Sequence, residues 1–154
     1  MIKEPEFRIN ENGVWHYQGQ RINREEMVFL FSSLISLNDK GEHVVYAEDG
    51  EVKILVEDAP FIITDFFRNC DDCSQLITFK TNIDELVTLE NVSQIRIKQE
   101  NNIKKIYLKI RDGIYAKMTS KIVEDLLKIS CEEFIDDKKK IGICSGGKFF
   151  PIFE

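Results

Sequence analysis

The stretch Ile106-Tyr107-Leu108-Lys109-Ile110-Arg111-Asp112-Gly113-Ile114-Tyr115-Ala116-Lys117-Met118 decides the fold class. Ile106, Leu108 and Ile110 alternate with Tyr107, Lys109 and Arg111, the two-residue period of a strand with one buried face. Asp112-Gly113 is a turn dipeptide leading into a second strand, Ile114 to Met118. A helix is expected next, from about Ser120 to Ser130. Upstream, Ile95 and Ile97 alternate with Gln94, Arg96 and Lys98 in the same manner. Strands joined by tight turns and followed by a helix imply an α+β protein with mainly antiparallel sheets.

Toward the N-terminus the same vocabulary recurs. Val14-Trp15-His16-Tyr17 reads as a strand and Gln18-Gly19 as a turn. Asn23 is placed to cap a helix, with Glu26 at the capping-box position and Ile22 and Met27 as a hydrophobic staple. Met27, Leu30, Phe31 and Leu34 follow at helical spacing and predict the buried face, with the helix ending near Leu37. Val44-Val45-Tyr46 and Val52 to Val56 flank a hairpin turn at Asp49-Gly50. Phe61-Ile62-Ile63 and Leu76-Ile77-Thr78-Phe79 are further strands, separated by a polar loop holding Cys70 and Cys73.

The two halves echo each other. Asn12-Gly13-Val14-Trp15 parallels Asp112-Gly113-Ile114-Tyr115, and Met27, Leu30 and Phe31 fall on Val123, Leu126 and Leu127. Each helix is followed by a hairpin, turning at Asp49-Gly50 in one half and Gly146-Gly147 in the other. An internal duplication into two strand–helix–hairpin lobes is the expectation, residues 1–85 and 86–154.

Composition narrows the function classes. In 154 residues, 43% are apolar, enough for a core in which 11 phenylalanines take part. No apolar run reaches the roughly 20 residues of a spanning helix, and the start lacks a signal peptide's basic and apolar regions, so a cytoplasmic protein without a membrane partner is expected. A formal net charge of −6 argues against nucleic acid as a partner. Four cysteines in such a chain are expected as reduced thiols. The Cys70/Cys73 pair surrounds Asp71-Asp72, whose charges oppose a reactive thiolate, and reads as a plain loop. Cys131 and Cys144 stand apart in sequence, and with His16 and His43 they do not make a metal-ligand pattern. No phosphate loop, nucleophile elbow or other catalytic motif is present, so no catalytic residue, metal or cofactor is implied.

Two features can carry binding. Val56-Glu57-Asp58-Ala59-Pro60-Phe61 interrupts an apolar stretch with two carboxylates and a strand-breaking proline. It is either a solvated turn or a rim at which Glu57 and Asp58 accept hydrogen bonds from a ligand. Between Leu86 and Lys117, seven basic residues oppose Glu90, Glu100 and Asp112. Alternation puts Arg96, Lys98, Lys109 and Arg111 on polar strand faces, either a solvated sheet face or a stripe that attracts an anion.

These stretches resemble a known family. Gly13-Val14-Trp15, Gly19-Gln20-Arg21-Ile22, Val56-Glu57-Asp58-Ala59-Pro60-Phe61, Phe79-Lys80-Thr81-Asn82, Tyr107-Leu108-Lys109-Ile110-Arg111 and the closing Gly142 to Pro151 segment resemble the bacterial family catalogued as domain of unknown function 1285, in the same order. The resemblance implies a pleckstrin-homology-like C-terminal lobe and a site for a nucleotide-like molecule where the lobes meet, in a signalling role. The residues it carries over are Glu57, Asp58, Phe61, Thr81, Asn82, Tyr107 and Arg111. Gly50, Ile106 and Cys144 depart from the family pattern.

The functional expectation is a non-enzymatic sensor or adaptor for a small anionic, nucleotide-like ligand. Arg111 would grip the anion, Phe61 or Tyr107 would stack on a ring, and Glu57, Asp58, Thr81 and Asn82 would supply hydrogen bonds. The alternatives are a protein–protein interaction module and, third, an enzyme using a carboxyl of raised pKa. A salt bridge from Glu57 to Arg111 that merely joins the lobes competes with all three.

Overall fold

The structure, a computed structural model, describes residues 5–71 and 74–153. Strands make up 54% of the described residues, which also hold two α-helices, so the α+β expectation holds with a strong weighting toward mainly antiparallel sheet. One sheet curls into a half-barrel.

The first sheet is built from β1 (Phe7–Ile9), β2 (Trp15–Tyr17), β3 (Gln20–Arg21), β4 (Ser36–Leu37), β5 (His43–Ala47) and β6 (Gly50–Val56), in the order β3-β2-β1-β6-β5-β4. Helix α1 (Glu25–Leu34) joins its two meanders, and β1 runs parallel to β6 where they meet. The second sheet contains β7 (Phe61–Asp71), β8 (Ser74–Thr81), β9 (Leu86–Thr88), β10 (Ile95–Glu100), β11 (Ile103–Arg111) and β12 (Ile114–Met118). Its order is β10-β11-β12-β7-β8-β9, again two meanders joined by a parallel pair, β12 with β7. This sheet crosses residue 85 without a break. Helix α2 (Ser120–Lys128) follows, then a small sheet of β13 (Cys131–Ile135), β14 (Lys138–Ser145) and β15 (Lys148–Phe150). One buried cluster runs through both large sheets, including Ile9, Trp15, Phe61, Phe79, Leu108, Leu126 and Phe150.

Four local expectations are corrected. Asn23 does not cap α1: the Ile22 amide donates to the Trp15 carbonyl at 2.9 Å, which keeps Ile22 in the β2–β3 hairpin. The helix therefore starts one residue later, from an extended Arg24 without a side-chain cap. Its buried face is also different. Phe31 packs on Phe7 and Trp15, with ring centroids 5.5 and 6.0 Å away, and Ser32 is buried. Met27, Leu30 and Leu34 are left 36%, 56% and 50% exposed. Helical spacing finds a stripe of apolar residues, but docking of Phe31 and the small Ser32 selects which side meets the sheet.

The hairpin directly after α2 turns at Asp136-Asp137, both at positive φ, rather than at Gly146-Gly147, which joins β14 to β15. Asp tolerates the left-handed region through local hydrogen bonding, so an acidic pair served where glycine was sought. Cys70 lies at the end of long strand β7, not in an open loop, and Cys73 falls outside the described residues. Cys131 and Cys144, apart in sequence, come together across β13 and β14.

Candidate functional site

Alternation along β10 and β11 survives as read for Arg96 and Lys98. Arg96 pairs with Tyr107 and Lys98 with Lys105, while Tyr107 pairs onward with Lys117 in β12. On this face Lys98 Nζ lies 5.5 Å from the Tyr107 ring centroid, and the Arg96 guanidinium lies 5.6 Å from that of Tyr115. Among the described residues neither cation has an ion-pair partner.

A bulge between Lys109 and Arg111 breaks the alternation. An extra residue there turns Arg111 toward the core side, opposite the buried Ile114. Its guanidinium lies 5.4 Å from the centroid of Phe61, whose ring is wholly buried. Nη2 donates to the carbonyls of Ser32 and Ile35, both at 2.9 Å, and Nη1 lies 3.4 Å from Glu85 Oε1. Arg111 thus closes the C-terminal end of α1, whose last turn carries no basic residue of its own.

The Val56 to Phe61 segment crosses between the two sheets. Asp58 points at β11 and β12, where the Tyr107 hydroxyl donates to Oδ1 at 2.6 Å and Lys117 Nζ sits 3.1 Å from Oδ2. Burial pushes the Asp58 pKa up, but the bonds from Tyr107 and Lys117 and the charges of Lys117 and Lys105 outweigh it and leave the carboxyl below its usual range. Burial and the same carboxylate drive the Tyr107 phenol pKa upward. Glu57 turns the other way, accepting from the Glu11 amide at 3.1 Å and lying 3.5 Å from Arg8 Nε. A direct Glu57–Arg111 bridge does not form; each carries its own partner.

Thr81 and Asn82 shape the turn after β8. Buried Thr81 Oγ1 accepts from the amides of Ile83 and Glu85, and Asn82 Oδ1 accepts from the Ile62 amide at 3.2 Å. Of the seven residues singled out from sequence, Asp58 and Tyr107 line one open cleft together. That cleft, about 400 Å³, is lined by Leu37, Gly41 and His43 from the first sheet, Asp58-Ala59-Pro60, and Arg96, Lys98, Tyr107, Gly113 and Tyr115. His43 is partly buried, which lowers its pKa and favours neutral imidazole. Gly113, at φ +71°, leaves room for Leu37, whose Cδ1 would stand 2.3 Å from a Cβ there. His43, Lys117 and Tyr115 were absent from the sequence-derived set, and only the period of Tyr115 and Lys117 could have placed them on the Tyr107 face.

A second cleft, about 720 Å³, lies along Glu11, Lys104, Lys105, Lys117 and the start of α2. Its Lys117 is engaged by Asp58 and the Glu11 carbonyl, and Glu11 and Glu124 offset its charge. In the smaller cleft the cations Arg96 and Lys98 rest on aromatic rings. Among the described residues, no three His, Cys, Asp or Glu side chains group as a metal site. No described helix is long and apolar enough to cross a membrane.

Residues 1–59 match the N-terminal domain, and residues 60–152 the C-terminal domain, of the protein family of unknown function DUF1285. The chain belongs to the DUF1285 family. A DUF1285 protein of Silicibacter pomeroyi DSS-3, known from a 2.50 Å crystal structure, is similar at TM-score 0.82 and 30% identity over 97% of this chain and 80% of that one. A DUF1285 protein of Shewanella baltica OS155, solved at 1.40 Å, is similar at TM-score 0.61 and 26% identity over 80% of this chain and 91% of that one. No curated protein matches. DUF1285 membership therefore fixes the ancestry of the fold and leaves the chemistry to the cleft.

Proposed function

We propose that this DUF1285 chain is a non-enzymatic sensor or adaptor that binds a small, ring-bearing anion of nucleotide-like chemistry in the Arg96–Tyr115 cleft. The observation that carries the reading is the pair of cations, Arg96 and Lys98, resting on Tyr115 and Tyr107 without a carboxylate partner among the described residues. Asp58 is directed away from them, with Lys117 Nζ 3.1 Å from its Oδ2 and the Tyr107 hydroxyl donating to its Oδ1. A volume of about 400 Å³ suits a mononucleotide-sized molecule. Neutral His43 and the Tyr115 ring offer an edge and a face to a flat ring. Residues from both sheets line the cleft, so occupancy couples them, as a sensor requires. The matching strand orders of the two sheets support reading them as duplicated units, and the second sheet followed by α2 fits a pleckstrin-homology-like lobe.

The second reading is an interaction module, favoured by the exposed Met27, Leu30 and Leu34 stripe on α1. An enzyme is disfavoured by Asp58, whose lowered pKa is opposite to what a carboxylic acid catalyst needs. A thermal-shift screen against nucleotides and other ring-bearing anions decides between them. A saturable rise that is lost in Arg96→Ala/Lys98→Ala establishes the cleft. A flat screen at millimolar ligand overturns it and leaves the α1 surface as the functional face.

A further inference from the structure

Cys131 opens β13 opposite Gly142 of β14, and Cys144 lies two residues further along β14 on the same face. Their Sγ atoms are 3.1 Å apart, and both residues are half-buried. The two strands differ in freedom. β14 is fastened on its inner side: the Cys144 carbonyl accepts from Gln75 Nε2 at 2.7 Å, and buried Ser145 Oγ bonds Ile77 and Leu89. At Gly142 a Cβ would collide with the Phe150 carbonyl, so β14 is also pressed against the end of β15. β13 is the edge of its sheet, with Phe134 76% exposed. β13 is thus the less fastened of the two strands.

We infer that Cys131 and Cys144 are a redox-active dithiol that closes to a reversible disulfide in the presence of a small-molecule disulfide such as oxidised glutathione. Burial, the hydrogen bond and charge of Cys131, and Glu133 push the Cys144 thiol up to about 11, so Cys144 stays protonated and follows rather than leads. The Cys131 thiolate attacks one glutathione sulfur, forming a mixed disulfide and expelling one glutathione thiolate. Cys144 then gives its proton to that thiolate and attacks the Cys131 sulfur, releasing the second glutathione. Two protein thiols are oxidised and one glutathione disulfide is reduced to two thiols. Diagonal neighbours across an antiparallel pair sit roughly 7–8 Å apart at Cα, beyond the usual 5.5–6 Å of a disulfide. Bridging must draw β13 inward across this gap.

The test uses the whole chain carrying Cys70→Ser/Cys73→Ser, equilibrated in glutathione buffers of rising oxidised fraction and read by intact mass and non-reducing peptide mapping. The expected product has lost the mass of two hydrogens and gives one cross-linked peptide holding residues 131 and 144. Its Tm rises by about 5 °C and falls back with dithiothreitol. Adding Cys144→Ser is expected to trap one glutathione on Cys131. A folded protein that carries glutathione on both thiols, or stays unmodified at the most oxidising ratio, overturns the inference.

Discussion

Arg111 Nη2 lies 2.9 Å from the carbonyl oxygen of Ser32, 79 residues earlier in the chain. One guanidinium from the second sheet thereby completes a helix of the first. The last carbonyls of any helix lack partners within it, and here they face protein instead of water. The contact is a structural tie between the two halves, set beside the cleft but not open to it.

Arg111→Ala should therefore cost stability rather than ligand affinity. Losing charge-assisted bonds to two carbonyls is expected to lower unfolding free energy by about 2–3 kcal/mol, measured by urea denaturation. Arg111→Lys should recover only part, since an ammonium cannot match the planar fork that spans Ser32, Ile35 and Glu85. An Arg111→Ala protein of unchanged stability would refute the tie.

Tyr107→Phe removes the 2.6 Å bond to Asp58 and leaves the ring in place. At neutral pH the loss should be about 1.5–3 kcal/mol, the range for a hydrogen bond to a charged group. The sign of the pH dependence follows from the lowered Asp58 pKa. Its stabilisation is fully present above the unfolded value, about 3.9, and disappears as pH falls through the lower folded value. The gap between native and Tyr107→Phe stability should thus be constant from pH 7 to about 5 and shrink below pH 4. A gap that widened in acid would mean that Tyr107 does not stabilise the carboxylate.

The pattern of strands around Ile95 to Met118 was legible because alternation is a local property of the chain. The position of Arg111 was not. Its parity predicts the face of Lys109, and a single bulge reverses it. Asp58 stood out where two carboxylates and a proline interrupt an apolar stretch and Tyr107 came through family resemblance, whereas Arg96 and Lys98 were visible only as a basic stripe. What makes that stripe a candidate site is Tyr115 and the His43 strand meeting it in space, and such pairing of distant segments has no local signal. The same limit hid Cys131 and Cys144, because the Asp136-Asp137 turn that brings their strands together resembles a charged loop.

Helix α1 offers a direct contrast between residues that sequence spacing treats alike. Leu30 is 56% exposed, while Phe31 packs against Trp15 and Phe7. Leu30→Gln should change unfolding free energy by less than about 0.5 kcal/mol, as surface substitutions do. Phe31→Ala should cost about 3 kcal/mol through lost ring burial and the cavity left behind. Equal losses, read from urea midpoints at constant slope, would mean that the helix docks by its Leu30 face after all.

Ser145 supplies the sharpest test of how the small C-terminal sheet is joined to the rest. It is fully buried, accepts from the Ile77 amide at 2.9 Å and donates to the Leu89 carbonyl at 2.7 Å. These two backbone groups belong to β8 and to the segment after β9, so one hydroxyl spans the β8–β9 seam from β14. Ser145→Ala leaves both groups without that partner in a site closed to water, and each deserted group costs about 1–3 kcal/mol. A total loss of about 2–4 kcal/mol is expected, with faster amide exchange at Ile77 than in the native protein. Ser145→Cys, a near-isostere with a weaker donor, should fall between the two. If Ser145→Ala unfolds at the native urea midpoint, the hydroxyl is not the join, and the sheet is held by the Gln75 contacts to the Cys144 carbonyl and the Gly146 amide, the Lys148 bond to the Glu90 carbonyl and the packing of Ile143 and Phe150.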